Sequence, residues 1–188
     1  MIREQLRTTL RSIGLLVTGL VLGGLLTLGG LALAGKLKPP GEPEALVALA
    51  QIVEASDKKV DIQIERGDMA GAIATLEQLR SQPWPNRERG GDAGIQIRHD
   101  AYGRLLRLRL DNPQVDGLSA TDLLAIADEG LGREWELIDA NPFTARLLAL
   151  RGEVLEQLGR DDDALLDYER ALDMNRDLLD EVMSGGGR

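Results

Sequence analysis

The pattern of hydrophobic and polar positions divides the chain into one continuous apolar run and a longer region with apolar residues at helical spacing. Residues 13–35 include no charged side chain over 23 positions. At about 1.5 Å per residue, a helix of that length crosses a hydrocarbon core of about 30 Å. The rest of the chain is too small to bury such a helix. The run therefore predicts a transmembrane helix over residues 13–35.

The flanks of this run bear on its orientation and its processing. Three arginines within residues 1–12 assign that end to the cytoplasm and the body to the far side of the membrane, which in a bacterium is the periplasm. The small residues of 32–34, followed by Gly35, also fit the cleavage rule of a signal peptide. The apolar run is longer than the usual signal core of about 7–15 residues, which favours an uncleaved anchor. Both interpretations export residues 36–188.

Small residues recur every three or four positions in the apolar run and share one face of the predicted helix. Such a groove suits close packing of a second membrane helix, although glycine is also common in membrane helices for other reasons. Both interpretations stay open. The predicted transmembrane packing residues are Gly19, Gly23, Thr27, Gly30 and Ala34.

Beyond the anchor, the pattern predicts a linker and then a first pair of helices. Residues 36–43 contain three prolines, which indicate a stiff linker. Apolar residues then follow helical spacing over residues 44–65, with a polar break at residues 57–59. Gly67 and Asp68 have the types of a C-cap and an N-cap, so the next helix is predicted over residues 69–80.

The second half of the body predicts further helices separated by turn residues. Residues 81–94 hold two prolines and several glycines and predict a loop. Helical spacing resumes over residues 95–110, where the final alternation is also compatible with a strand. Ser119 or Thr121 can cap a helix that runs towards Ala140 and ends at Asn141-Pro142. After residue 175, we expect a separate capping helix over residues 176–183 and a flexible tail over residues 184–188.

Residues 145–178 show small and large residues alternating as two tightly crossed helices require. Gly152, Ala164, Tyr168 and Ala171, with Gly159 at the turn, occupy the positions that a 34-residue repeat uses for close helix packing. The segment resembles a tetratricopeptide repeat (TPR). An ordinary helical hairpin also wants small residues where its helices touch.

The resemblance is incomplete at three positions where the family commonly has Leu, Trp and Pro. This chain has Arg151, Leu148 and Arg176 there. Residues 44–80 look like a degenerate first repeat and residues 95–140 like a divergent middle hairpin. The resemblance implies an all-α fold, in which an N-terminal transmembrane helix precedes a short TPR-like α-hairpin solenoid over residues 44–183.

Composition and charge narrow the function. The chain has 188 residues, a formal net charge of -9 and no cysteine, so phosphate backbones repel it and disulfides and thiolate metal sites are excluded. The one histidine, His99, adjoins Asp100, but no nucleophile accompanies the pair and we expect a surface histidine. Asp161, Asp162 and Asp163 lack the spacing of a calcium loop and suit the N-terminus of a helix instead. We therefore expect no enzymatic activity, metal, cofactor, nucleic acid or small-molecule substrate.

The resemblance implies binding to another protein through a concave groove lined by the first helix of each hairpin. Carrying the family's groove positions over gives Arg146, Ala149, Glu153 and Glu156 as predicted contact residues. A mostly acidic groove favours a neutral or basic segment, although these glutamates can also be solvated surface residues. The predicted function is a membrane-anchored scaffold or adaptor in an envelope complex. The alternative is an accessory subunit that docks mainly through its glycine-rich membrane helix.

Overall fold

The computed structural model describes residues 43–185, with side chains from Leu46 onward, and this part of the chain is all-helical. In chain order its elements are α1 (Pro43–Glu65), α2 (Met69–Arg80), α3 (Arg87–Asp111), α4 (Ala120–Leu131), a 3-10 helix (Trp135–Leu137), α5 (Pro142–Gln157) and α6 (Asp161–Met183).

The helices pack as three successive hairpins, α1 with α2, α3 with α4, and α5 with α6. Neighbouring hairpins touch in two ways. The second helix of one hairpin packs on the first helix of the next, and α3 also contacts both α1 and α5. The buried core is continuous through all three hairpins and is built mainly from Leu, Ile, Val and Ala, with Tyr102 as its one fully buried aromatic residue among those described.

Side-chain caps explain where α2, α4 and α5 begin. The Asp68 carboxylate accepts a hydrogen bond from the backbone N–H of Gly71 at 2.9 Å, as the sequence predicts for the start of α2. Ser119 and Asp122 form a reciprocal capping box at α4. The Asn141 side chain accepts from the backbone N–H of Thr144 at 2.9 Å at α5. Each cap satisfies an N–H group that has no partner within its helix.

In each of the last two hairpins, a glycine under a tyrosine ring lets the two helices approach closely. A Cβ atom added to Gly130 of α4 would lie 2.7 Å from Cβ and Cγ of Tyr102 on α3. One added to Gly152 of α5 would lie 2.6 Å from Cε1 of Tyr168 on α6. The glycine is on the second helix in the middle hairpin and on the first helix in the last hairpin. The two helices of a hairpin therefore approach closely in both cases, but the glycine and the tyrosine exchange helices between the two hairpins.

Arg151 lies where the repeat family commonly has leucine, and the structure supplies its partners. Its Nε lies 2.7 Å from the Asp128 carboxylate on α4, and its Nη1 lies 2.9 Å from the Asp167 carboxylate on α6. Asp167 is almost fully buried, and that burial raises the pKa of its carboxyl, while Arg151 and Arg170 act to lower it. The arginine at this position thus forms an ion pair with the buried Asp167 carboxylate and joins α5 to two neighbouring helices.

Several predicted boundaries were wrong for physical reasons. The predicted loop over residues 81–94 is shorter, because Asn86 caps α3 and Gly91, at φ 58°, turns the chain within its first turns. The polar residues 57–59 do not break α1, which continues to Glu65. Pro43, predicted as the end of the linker, is the first residue of α1, a position where its missing N–H costs nothing.

The predictions for the ends of α4 and α6 also differ from the structure. α4 ends at Leu131, because Gly132 takes a positive φ of 64° at its C-cap. Asn141-Pro142 begins α5 instead of closing the preceding helix. Residues 176–183 form the last turns of α6, not a separate capping helix. Residues 161–163 lie in the first turn of α6, where their carboxylates interact favourably with the positive end of the helix dipole. No side chain caps this helix.

The predicted membrane helix over residues 13–35, with its small-residue face, lies outside the described residues, as do the N-terminus and most of the linker. Within residues 43–185, no helix combines the length and the apolar character that a membrane crossing requires.

We expect Gly130→Ala to lower the free energy of unfolding by about 1–2 kcal/mol, because overpacking against buried Tyr102 outweighs the better helix propensity of alanine. Gly103→Ala is the matched control, since the nearest atoms to its Cβ would be in the guanidinium of Arg146, 3.1 Å away at the end of a flexible side chain and not in a buried ring. That variant should be neutral or slightly stabilised. Urea unfolding of the full chain in detergent measures both values, and equal effects would contradict the packing argument.

Candidate protein-binding cleft

A cleft of about 410 Å³ opens on the side of the stack where the first helices of the three hairpins meet. α3 supplies most of its wall, α1 and α2 supply one side, and Arg146 of α5 closes the other. The residues that line it are Val60, Ile64, Met69, Leu76, Gly103, Arg104, Arg107, Leu108, Asp111, Asn112 and Arg146.

The floor of the cleft is apolar. Val60 and Leu76 are almost fully buried, and Ile64, Met69 and Leu108 are at least partly accessible. Apolar surface at the bottom of a concave site is what a bound side chain needs in order to leave water. The cleft can therefore receive aliphatic or aromatic side chains of a partner.

Three arginines form the polar wall of the cleft, and each is held by a carboxylate of a neighbouring helix. Arg104 lies 2.8 Å from Asp57 and 2.7 Å from Asp61, both on α1. Arg107 lies 2.7 Å from Glu153 on α5. These pairs join α1 and α5 to α3 along the edges of the cleft.

The third arginine and its partner complete this wall. Arg146 of α5 donates to the backbone oxygen of Asp100 on α3 at 3.1 Å and forms an ion pair with the carboxylate of the same residue. Burial raises the pKa of the Asp57 carboxyl at the other end of the wall, with Arg104 opposing that shift. Around the cleft, the carboxylates that pair with these three arginines number five, and of the five only Asp111 is itself a lining residue. The five are Asp57, Asp61, Asp100, Asp111 and Glu153.

The four predicted contact residues occupy different surroundings on α5. Arg146 lines the cleft, and Glu153 binds Arg107 at its edge. Ala149 is partly buried against the core, and Glu156 is exposed near Tyr168. Desolvation, and to a smaller extent Glu156, raises the pKa of Tyr168 to about 12. The structure thus places only Arg146 of the four among the lining residues of the cleft, with Glu153 in contact with the lining residue Arg107.

The residues that sequence reasoning missed are on α3 and α1. Arg104 and Arg107 are three positions apart, which places them on one face of α3. Their spacing predicts a basic face on this helix, but their acidic partners lie 43 and 46 residues away in the chain. Only the packing of α3 between α1 and α5 brings these charges together.

His99 was predicted to be on the surface, and this prediction was wrong. Its side chain is fully buried, with Nδ1 2.7 Å from the Thr144 hydroxyl and Nε2 3.2 Å from the backbone oxygen of Leu131. A neutral imidazole that donates from Nε2 to the carbonyl leaves Nδ1 as an acceptor, and the Thr144 hydroxyl, which also lies 3.0 Å from the Asn141 side-chain oxygen, is the donor within its reach. Desolvation lowers the pKa of His99 to about 4. The residue thus joins α3, α4 and α5 in a structural role.

In the part of the chain that the structure describes, no group of three or more acidic, histidine or cysteine side chains is arranged to hold a metal ion. No family model, curated protein or solved structure matches the chain.

Stability should fall by about 2 kcal/mol between pH 7 and pH 5, because His99 takes up a proton near pH 6.5 when unfolded and only near pH 4 when folded. The unfolded state binds more protons in this interval, so the contribution is present above pH 6.5 and is lost as the pH falls. Urea unfolding of the full chain at both pH values measures it. His99→Gln should flatten this dependence, and an unchanged slope in that variant would assign it to other groups.

Proposed function

We propose that this chain is a membrane-anchored, TPR-like scaffold that holds another polypeptide in the cleft between α1, α3 and α5, on the far side of the membrane in an envelope complex. The observation that carries the proposal is the cleft itself. It combines an apolar floor with a wall of paired charges, on the side where the first helices of all three hairpins meet.

The packing of the described residues supports a repeat architecture. α3 and α5 each contact the second helix of the preceding hairpin, and the successive first helices α1, α3 and α5 contact one another in turn. A stack of this kind buries a continuous core and leaves the first helices along one surface. Gly152 and Tyr168 meet within the last hairpin, at two of the positions that carry the resemblance.

The charges of the cleft indicate the class of partner. Each arginine of the wall already has a carboxylate, and the carboxylates are in excess. An acidic partner would have to break these pairs, whereas a neutral or basic segment with apolar side chains can leave them intact and meets a small net negative charge around the cleft. The proposed occupant is therefore a neutral or basic polypeptide segment, and its attraction should weaken as salt concentration rises.

A photo-crosslinking residue at Ile64 should form adducts of defined mass with a partner in native membranes, and one at Ile62 should not. Both isoleucines are on α1 and have similar exposure, 36% and 47%, but Ile64 lines the cleft and Ile62 does not. Mass spectrometry of the adducts identifies the partner. Ile64→Asp should reduce its recovery at least about tenfold with Ile62→Asp unchanged. Equal adducts at both positions would rule out the cleft.

A second candidate function follows from the small residues of the predicted membrane helix, in which the chain is an accessory subunit held through residues 13–35. Replacing this segment with an unrelated membrane anchor separates the two functions. If the cleft binds the partner, capture measured by the Ile64 crosslink should persist after the replacement. If capture is lost while the protein remains folded and membrane-bound, the membrane helix makes the main contact.

A further inference from the structure

The second helices of the three hairpins can be aligned on their N-caps, Asp68, Ser119 and Arg160. The fifth residue after the cap is apolar in all three helices, namely Ile73, Leu124 and Leu165. In the first two hairpins this side chain is 5% and 9% exposed, and in the last it is 59% exposed. The same structural position is thus covered twice and open once.

The twelfth residue after the cap, one heptad further on, is a leucine in the last two of these helices and shows the same contrast between them. Leu131 of α4 is 2% exposed, whereas Leu172 of α6 is 54% exposed. α3 packs on α2 and α5 packs on α4, but among the described residues no helix packs on the far side of α6. The open face of α6 therefore corresponds to the surface that the next helix covers in the preceding hairpins.

The exposed face extends along the whole length of α6. Leu165, Leu172 and Leu179 recur every seven residues, which is the spacing of a helix-to-helix seam. Val182 and Met183 extend the exposed apolar surface to the end of the helix. The face thus fits one long amphipathic helix and not a small ligand.

Among the charges of α6, which are nine carboxylates and two arginines, one pair beside this seam is complementary to itself. Glu169 and Arg176 are both exposed and lie on one edge of the seam, seven residues apart. When two copies of α6 pair antiparallel about a twofold axis between residues 172 and 173, Glu169 of each copy comes level with Arg176 of the other. A parallel pair places like residues at the same level and makes neither contact. Arg176 is held only by an exposed ion pair with Asp173, which is easily exchanged.

We infer that the open face of α6 is a self-association surface, on which a second copy of this chain packs its own α6 antiparallel to form a symmetric dimer. The seam leucines of the two copies bury one another, and the Glu169–Arg176 pairs fix the direction. A twofold contact of this kind closes on itself and does not propagate into filaments. The dimer leaves the cleft on a different surface, so this inference is independent of the proposed partner.

Single cysteines test the arrangement, because the chain has none of its own. Leu172→Cys lies beside the axis and should form a disulfide between two copies of the full chain in liposomes under mild oxidation. Leu165→Cys and Leu179→Cys should not, because each lies about 20 Å along the helix from the same residue of the other copy. Mixing these two variants should restore the crosslink. Asp177→Cys, elsewhere on α6, measures random collision.

Each pattern of crosslinks has one meaning. Crosslinking at Leu172 and in the mixture supports the antiparallel dimer. Self-crosslinking at all three seam positions indicates a parallel pair and overturns the inference. Crosslinking no higher than that of Asp177→Cys at every seam position overturns it as well, and this result leaves partner binding in the cleft untouched.

Charge exchange provides a second readout that does not depend on cysteine chemistry. Glu169→Arg alone and Arg176→Glu alone should each reduce the dimer fraction of the full chain in detergent several-fold, measured by light scattering. The double variant Glu169→Arg/Arg176→Glu should restore it, since the pairs are re-formed with reversed signs. Circular dichroism of each variant confirms that the fold is intact. A double variant as weak as either single one overturns the antiparallel assignment.

Discussion

Close approach of paired helices at glycine is the constraint on which the rest of this structure depends. With few aromatic residues, the core must be filled by aliphatic side chains from helices that nearly touch. Gly130 under Tyr102 and Gly152 under Tyr168 set that distance in two successive hairpins. Because the glycine and tyrosine exchange helices between the two hairpins, the spacing is preserved although the sequence pattern is not.

Polar groups then fix the order of the helices that glycine brings together. His99 connects α3 to α4 and α5 through hydrogen bonds, and Arg151 connects α5 to α4 and α6 through carboxylates. A buried polar group without its partner is costly, so these links tolerate few alternative packings. At the cleft, the ion pairs of Arg104 and Arg107 also connect α3 to both of its neighbours, but they are solvent-accessible and contribute less.

Helix type and several boundaries could be predicted from local residues, because caps act within a few positions. Asp68 and the limits of α2 were predicted correctly for this reason. The burial of His99 could not be predicted, since its partners are Thr144 and the Leu131 carbonyl, more than 30 residues away. The cleft was missed for a similar reason. A single helix face shows arginines, but only tertiary packing shows the apolar floor between them.

One more contact joins α6 to the segment between the middle and last hairpins. Cζ of Arg170 on α6 lies 5.2 Å from the ring centroid of Trp135 in that segment. The other tryptophan, Trp84, packs instead against Tyr102, with ring centroids 6.2 Å apart. A guanidinium group over an indole alters its emission, and the contact exists only while α6 is seated on the stack. The protein therefore carries an intrinsic optical reporter of its C-terminal helix, read in a variant that lacks Trp84.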